Sequence, residues 1–321
     1  MRCHIERIVA FAACLLSASP AFAQTYPSRQ IRLVVPFAAG GPADLLGRII
    51  ANAMSHDLGQ QVYVDNRPGA NTIIGAELVA KADPDGYTLL MAIDGTLVMN
   101  PFLYSKLSYD PFKDFAPISL IAQVPSVIEA NLAVPGNTVQ ELIDLEKAKP
   151  GRLSMGYSTP TSQVTAELFV MRSGIKATLV PYRGGLTQVT GLLGGEIQIG
   201  VESVNVALPL ARAGKLKILA LTRGERISLA PDIPTVAETL PGFDLGIWQS
   251  IVAPAGTPSA VVNKLHDEIV AVLDRDSVRN KLITQGLEPA TSQSPQQFAD
   301  FIRAQAAIRK NVIETVGIKL D

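Results

Sequence analysis

Short apolar runs alternate along most of this chain with longer stretches whose apolar residues recur every third or fourth position, a pattern of strands alternating with amphipathic helices. It predicts an α/β fold with parallel-rich sheets. Leu33, Val34 and Val35, closed by Pro36, read as a strand buried on both faces. Further strands are expected over 61–64, 87–93, 118–122, 126–130, 153–157, 197–201, 216–221 and 247–253. Helices are expected over 73–81 and 138–147, and from Pro160 through Phe169. Two C-terminal helices follow. One carries Val261, Val262, Leu265, Ile269 and Leu273 on a single face, and the other Phe298, Phe301, Ile302, Ile308 and Val312, with Gln305 interrupting its stripe.

The stretch after the first strand carries the chemistry. Gly40 and Gly41 permit a tight turn, Pro42 suits the first helical position, and Leu45, Leu46, Ile49 and Ile50 follow at helical spacing. The free amides of that first turn face out over the carboxyl end of the strand, where α/β folds bind ligands and where a helix start favours an anion. No lysine with serine or threonine follows the glycines and no Gly-x-Gly-x-x-Gly is present, so no nucleotide is expected. Asp44 reads as a complement to the helix dipole or a cap of the turn. A second helix start, with Thr159 as cap and Pro160 at the first position, is expected to present oriented amides together with hydroxyls. The two starts could face each other across a cleft.

Composition narrows the class. Arg2, Arg7, an apolar run from Ile8 and Ala21-Phe-Ala23 have the layout of a secretory signal peptide over residues 1–23. Cys3 and Cys14 both lie inside it, so the mature chain is expected to lack cysteine, which excludes disulfides, thiol catalysis and zinc–cysteine sites. The full chain has 28 basic and 29 acidic residues, a balance that argues against nucleic acid as a partner. No metal-ligand spacing and no cofactor signature is present. The expectation is a soluble, monomeric protein of the periplasm.

An ordered set of short motifs then resembles one family. Tyr26-Pro27, Val35-Pro-Phe-Ala-Ala-Gly-Gly41 with Asp44 and Arg48, Asn66-Arg-Pro-Gly-Ala70 and Pro84-Asp-Gly-Tyr-Thr-Leu-Leu90 lie in the first half. Val180-Pro-Tyr-Arg-Gly184, Pro231-Asp-Ile-Pro-Thr235 with Glu238, and Ala253-Pro-Ala-Gly-Thr-Pro258 complete it. The chain resembles the Bug-type extracytoplasmic solute receptors, the binding component of tripartite tricarboxylate transporters. The resemblance implies a two-lobed periplasmic binding protein, type II-like, with a ligand cleft between lobes. It implies a first lobe begun by residues 24–123, a second lobe over 124–227, and a return with the C-terminal helices over 228–321. It implies capture of a small carboxylated solute for delivery to membrane permease subunits. The ligand residues it implies are Phe37, Ala38, Ala39, Gly40 and Gly41 with Asp44, then Asp94, Gly95 and Thr96, and Ser158, Thr159, Thr161 and Ser162. Tyr182, Arg183 and Glu202, at ends of second-lobe strands, extend that set. Departures are the Ser158-Thr-Pro-Thr-Ser162 loop, where relatives carry glycines, Thr165 near a usual histidine, and Asn71-Thr72 in place of a glycine pair.

Two other readings compete. A closed receptor could signal to a sensor kinase, which requires only a lobe surface that differs between states. A secreted hydrolase would use Ser158 in Gly156-Tyr-Ser158-Thr-Pro160, but Pro160 stands where a nucleophile elbow needs glycine. Its histidines would be His56, after a helix, or His266, expected on the solvated face of another.

Overall fold

A computed structural model describes residues 26–227 and 229–320, all but the side chain of Pro42. The signal segment expected over 1–23 lies outside these residues. Two mixed sheets organise the described chain.

The first sheet is built around β1 (Ile31–Val35), the run read as buried on both faces. Ile31, Leu33 and Val35 face one apolar cluster with helix α1 (Pro42–Leu58), and Val34 faces another on the opposite side. Strand β2 (Val62–Asn66) and β3 (Thr88–Ile93) lie parallel on either side of β1, with α2 (Ile73–Ala80) between them in sequence. A π-helical turn (Gly95–Met99) and the short α3 (Asn100–Leu103) follow β3. Strand β4 (Phe115–Val124) completes the outgoing part of this sheet.

Only Pro125 separates β4 from β5 (Ser126–Ala130), the entry to the second sheet. That sheet continues with α4 (Val139–Ala148), β6 (Leu153–Tyr157), α5 (Pro160–Ser173), β7 (Ala177–Pro181), α6 (Gly185–Gly194), β8 (Ile199–Ser203), α7 (Val204–Arg212) and β9 (Lys217–Leu221). Its strand order is β7-β6-β8-β5-β9. The chain then returns to the first sheet through β10 (Ile247–Pro254) and ends with α8 (Ser259–Leu273), α9 (Asp276–Thr284), β11 (Glu288–Pro289) and α10 (Pro295–Val316). The first sheet is ordered β11-β4-β10-β3-β1-β2.

The sheets are mixed rather than parallel throughout. Neighbours joined by helical crossovers run parallel, while β10 runs antiparallel to β3 and β4, and β5 antiparallel to β8 and β9, because these strands lead into or out of the crossings between sheets. The crossings lie side by side: the Thr222 amide donates to the Ser126 carbonyl, and the Leu245 amide to the Thr222 carbonyl.

Three C-terminal helices stand where two were expected. The extra one, α9, buries only Val278 and Leu282, too few apolar positions to announce it. On α10 the buried line is Phe298, Ile302, Ala306, Arg309 and Ile313, while Ile308, expected on that face, is exposed. The line steps by four, four, three and four residues, the pitch of a regular helix, and so admits an arginine into the core where it finds backbone acceptors.

Candidate functional site

The carboxyl end of β3 and the start of α5, which follows β6, meet at the junction of the sheets. The Thr161 hydroxyl, in the first turn of α5, donates to Asp94 Oδ2 at the end of β3 over 3.0 Å. Met99 and Leu103, just beyond β3, pack into the apolar cluster of the second sheet.

On the first-sheet side, residues 36–41 form the loop from β1 to α1. Phe37 is half-buried, and Ala38, Ala39 and Gly40 are exposed. Gly40 holds φ at +87°, a left-handed conformation that suits glycine. Gly41 caps α1 in extended backbone, and no side chain caps the helix. Asp44 does not point outward from this helix start: it is buried and braces the loop. Its Oδ2 accepts from the Gly40 amide and from Arg48 Nε, each at 2.9 Å, and its Oδ1 accepts from Asn66 at the same distance. Asn66 Nδ2 also donates to the Phe37 carbonyl. Burial alone would raise the Asp44 carboxyl, but Arg48, the Gly40 amide and Asn66 outweigh it and hold the group below the usual carboxylate range.

The turn after β2 packs against the segment that follows β3. Ala70, Asn71 and Thr72 all have positive φ, strained for residues with a side chain, at the place where glycines would be unstrained. The strain is held by partners. The Thr72 and Thr96 hydroxyls lie 2.8 Å apart, Asn71 donates to the Tyr104 hydroxyl, and Asn100 donates to the Asn71 carbonyl. Thr96 is fully buried, and its carbonyl accepts from Tyr109. Asp94 is also fully buried, and desolvation pushes its carboxyl up to about 6 although the Arg309 charge and Thr161 pull the other way.

On the second-sheet side, α5 does not present the row of free amides expected of it. Thr159 Oγ1 accepts from the Ser162 amide, and Ser162 Oγ accepts from the amides of Ser158 and Thr159, so the capping box takes up one first-turn amide and the two that precede the helix. The two helix starts therefore differ, because α1 opens with glycine and proline and α5 with hydroxyl side chains.

Tyr182, Arg183 and Glu202 are drawn into separate surroundings. Tyr182 leans along α6 with its hydroxyl 3.4 Å from Glu196 and packs with Leu192 and Ile197, and Arg183 is exposed. Glu202, at the end of β8, is buried, with one carboxylate oxygen accepting from the Ser203 amide and hydroxyl. Beside it in the second sheet stand two buried polar residues that the sequence reading missed, Glu129 and Gln188. A carboxylate inside the apolar strand Ser126-Val-Ile-Glu-Ala130 was the available signal.

The hydrolase geometry is not assembled. His56 is exposed beside Asp57. His266 is buried rather than solvated, its Nε2 2.9 Å from the Ser292 carbonyl, because α8 turns that face toward the strand β11 and its following loop. Neither is joined to Ser158. Among the described residues no group of three or more histidine, cysteine, aspartate or glutamate side chains could hold a metal, and no helix is long and apolar enough to cross a membrane.

Two mixed α/β sheets joined by paired crossings, with strand ends and a helix start converging at their junction, define a two-lobed solute-binding receptor. Residues 46–318 match the family described as "Tripartite tricarboxylate transporter family receptor", and the chain belongs to that family. It is 33% identical to Protein BugT of Bordetella pertussis over 94% of each chain. Among solved structures it is similar to R. palustris Rpa4515 with adipate, at TM-score 0.86 and 35% identity over 92% of this chain and 99% of that one. It is similar also to MatC from Rhodopseudomonas palustris with bound malate, at TM-score 0.82 and 31% identity over 90% and 100%.

Proposed function

We propose that this chain is a periplasmic receptor that binds a small carboxylate between its two sheets and delivers it to the membrane subunits of a tripartite transporter. The observation that carries this reading is the α1 start: a helix of 17 residues with no side-chain cap, whose own acid, Asp44, is turned inward to brace the loop. That leaves a dipole-aligned set of amides for an external anion. Relatives whose solved structures hold adipate and malate support the same ligand class. Phe37 to Gly41, Asp94 to Thr96 and the α5 start are the walls the solute would contact, with residues 26–124 and 247–320 forming one lobe and the second sheet the other. Export would follow from cleavage after Ala23, and the protein would act without enzymatic turnover.

The test is thermal unfolding of residues 24–321 against carboxylic acids, their amides and their esters. A ligand at 100 times its dissociation constant stabilises by about 2.7 kcal/mol, so acids should raise Tm saturably and esters should not. Flat traces with every acid, or release of free acid from the esters, would overturn the proposal.

A further inference from the structure

Under α6, the second sheet holds a set of buried side-chain oxygens without hydrogen-bond partners. Glu129 pairs with Gly200 in the register of β5 and β8, two residues before Glu202, so the two carboxyl groups stand in diagonal register on one sheet face. Gln188 of α6 lies over the same face. Its Nε2 donates to the Val201 carbonyl at 3.0 Å and lies 3.4 Å from Glu129 Oε1. The Val201 bond fixes the amide orientation, since the flipped amide would set two acceptors against each other. Glu129 and Gln188 are fully buried, and Glu202 is 7% exposed. Glu129 Oε2, Gln188 Oε1 and Glu202 Oε2 are all buried without a hydrogen-bond partner.

The space for this cluster is built in. A Cβ on Gly185, the first residue of α6, would stand 2.4 Å from Glu202 Oε2, and one on Gly200 would stand 2.8 Å from Gln188 Nε2. Glu202 occupies the carboxyl edge of β8, the edge at which Thr161 reaches across to Asp94, and Glu129 lies deeper in the sheet. Burying carboxyl groups with unmet acceptors is costly unless a donor arrives. The two carboxyls are raised above their usual range, Glu129 to about 8 by burial and by the neighbouring Glu202 charge, and Glu202 by burial. No lysine or arginine contributes to either.

We propose that Glu202, Glu129 and the Gln188 carbonyl form a subsite for a primary ammonium, so that the solute is an amino-bearing carboxylate rather than a plain one. An ammonium carries three N–H donors, one for each unmet oxygen, and a charge that the two carboxyls neutralise. This rests on the carboxylate reading above, with the carboxylate end of the solute at the α1 start and its amino group toward β8.

The experiment is calorimetric titration of residues 24–321 with matched pairs, glutamate against glutarate and aspartate against succinate. The wild type should bind the amino member of a pair at least tenfold more tightly, and that ratio should fall to near one in Glu202→Gln and in Glu129→Gln. Titration at neutral pH in two buffers of different ionisation heat should show up to one proton released with the amino ligand, as the ammonium drives Glu129 to ionise, and none with the plain acid. Equal or tighter binding of the plain acids, or a ratio that survives both substitutions, would overturn the ammonium subsite and leave the carboxylate reading standing. Silence from all four acids while other acids of the thermal panel bind would overturn the ammonium subsite and leave the carboxylate reading standing, and silence across the whole panel would overturn both. Should the variants fail to fold, the wild-type ratio and the proton release still decide.

Discussion

Gly40 and Gly41 adjoin in sequence yet ask different things of the backbone. Gly40 sits at φ +87° with open space around its missing Cβ, so Gly40→Val strains the loop without a clash and should cost about 1–3 kcal/mol. Gly41 has φ −82°, and a Cβ there would meet nothing closer than 3.7 Å, so Gly41→Val should unfold close to the wild-type temperature. Its added bulk stands over the α1 amides and should weaken carboxylate binding at least tenfold. Thermal unfolding with and without ligand separates the two variants, and a Gly41→Val protein that binds normally would remove the helix start from the site. Both glycines could be read from the sequence as turn formers. Which of them needs a left-handed φ could not, because that follows from the path the loop takes around Asp44.

Among the elements, α1 and α5 look alike as sequence, each with proline at the first helical position after a strand. Their starts behave differently once built, since α1 has no side-chain cap and α5 is closed by a Thr159–Ser162 capping box. Thr159→Ala removes the acceptor for the Ser162 amide and should destabilise the protein by about 1 kcal/mol, measured by chemical denaturation. Because the Ser162 amide is already spent in the native protein, the loss should appear in stability before it appears in ligand affinity. An affinity loss larger than the stability loss would show that the hydroxyl itself meets the solute.

For the molecule as a whole, Arg309 connects three regions. From α10 its guanidinium donates to the Gly246 carbonyl at 2.9 Å and reaches the Asp244 carbonyl, both in the returning crossing, and its charge acts on Asp94 at the sheet junction. It is 3% exposed, so Arg309→Leu leaves the Gly246 and Asp244 carbonyls without their donor and the buried Asp94 carboxyl without that neighbouring charge. The expected cost is about 1–3 kcal/mol, for donors lost to the crossing and a charge lost beside Asp94. Adding Asp94→Asn should recover part of it, and the coupling is read from a double-mutant cycle. Additive losses would show that the two groups do not share their charge through the junction.

The α/β class, the buried strands, the helix starts and the β1–α1 loop were legible in local pattern, because apolar period, proline and glycine act over a few residues. The family motifs spread along the chain carried the rest of the class. What escaped were features that depend on residues far apart. Asp44 turns inward because Asn66 stands across from it, and His266 is buried because Ser292 faces it. Arg309 enters the core because carbonyls more than sixty residues away accept from it. Glu129, Gln188 and Glu202 come from three different elements, and a lone acid in a strand does not announce its neighbours. Periodicity is written along the chain, whereas burial, partner and charge are set by what folding brings alongside, and the solute's surroundings are made of the latter.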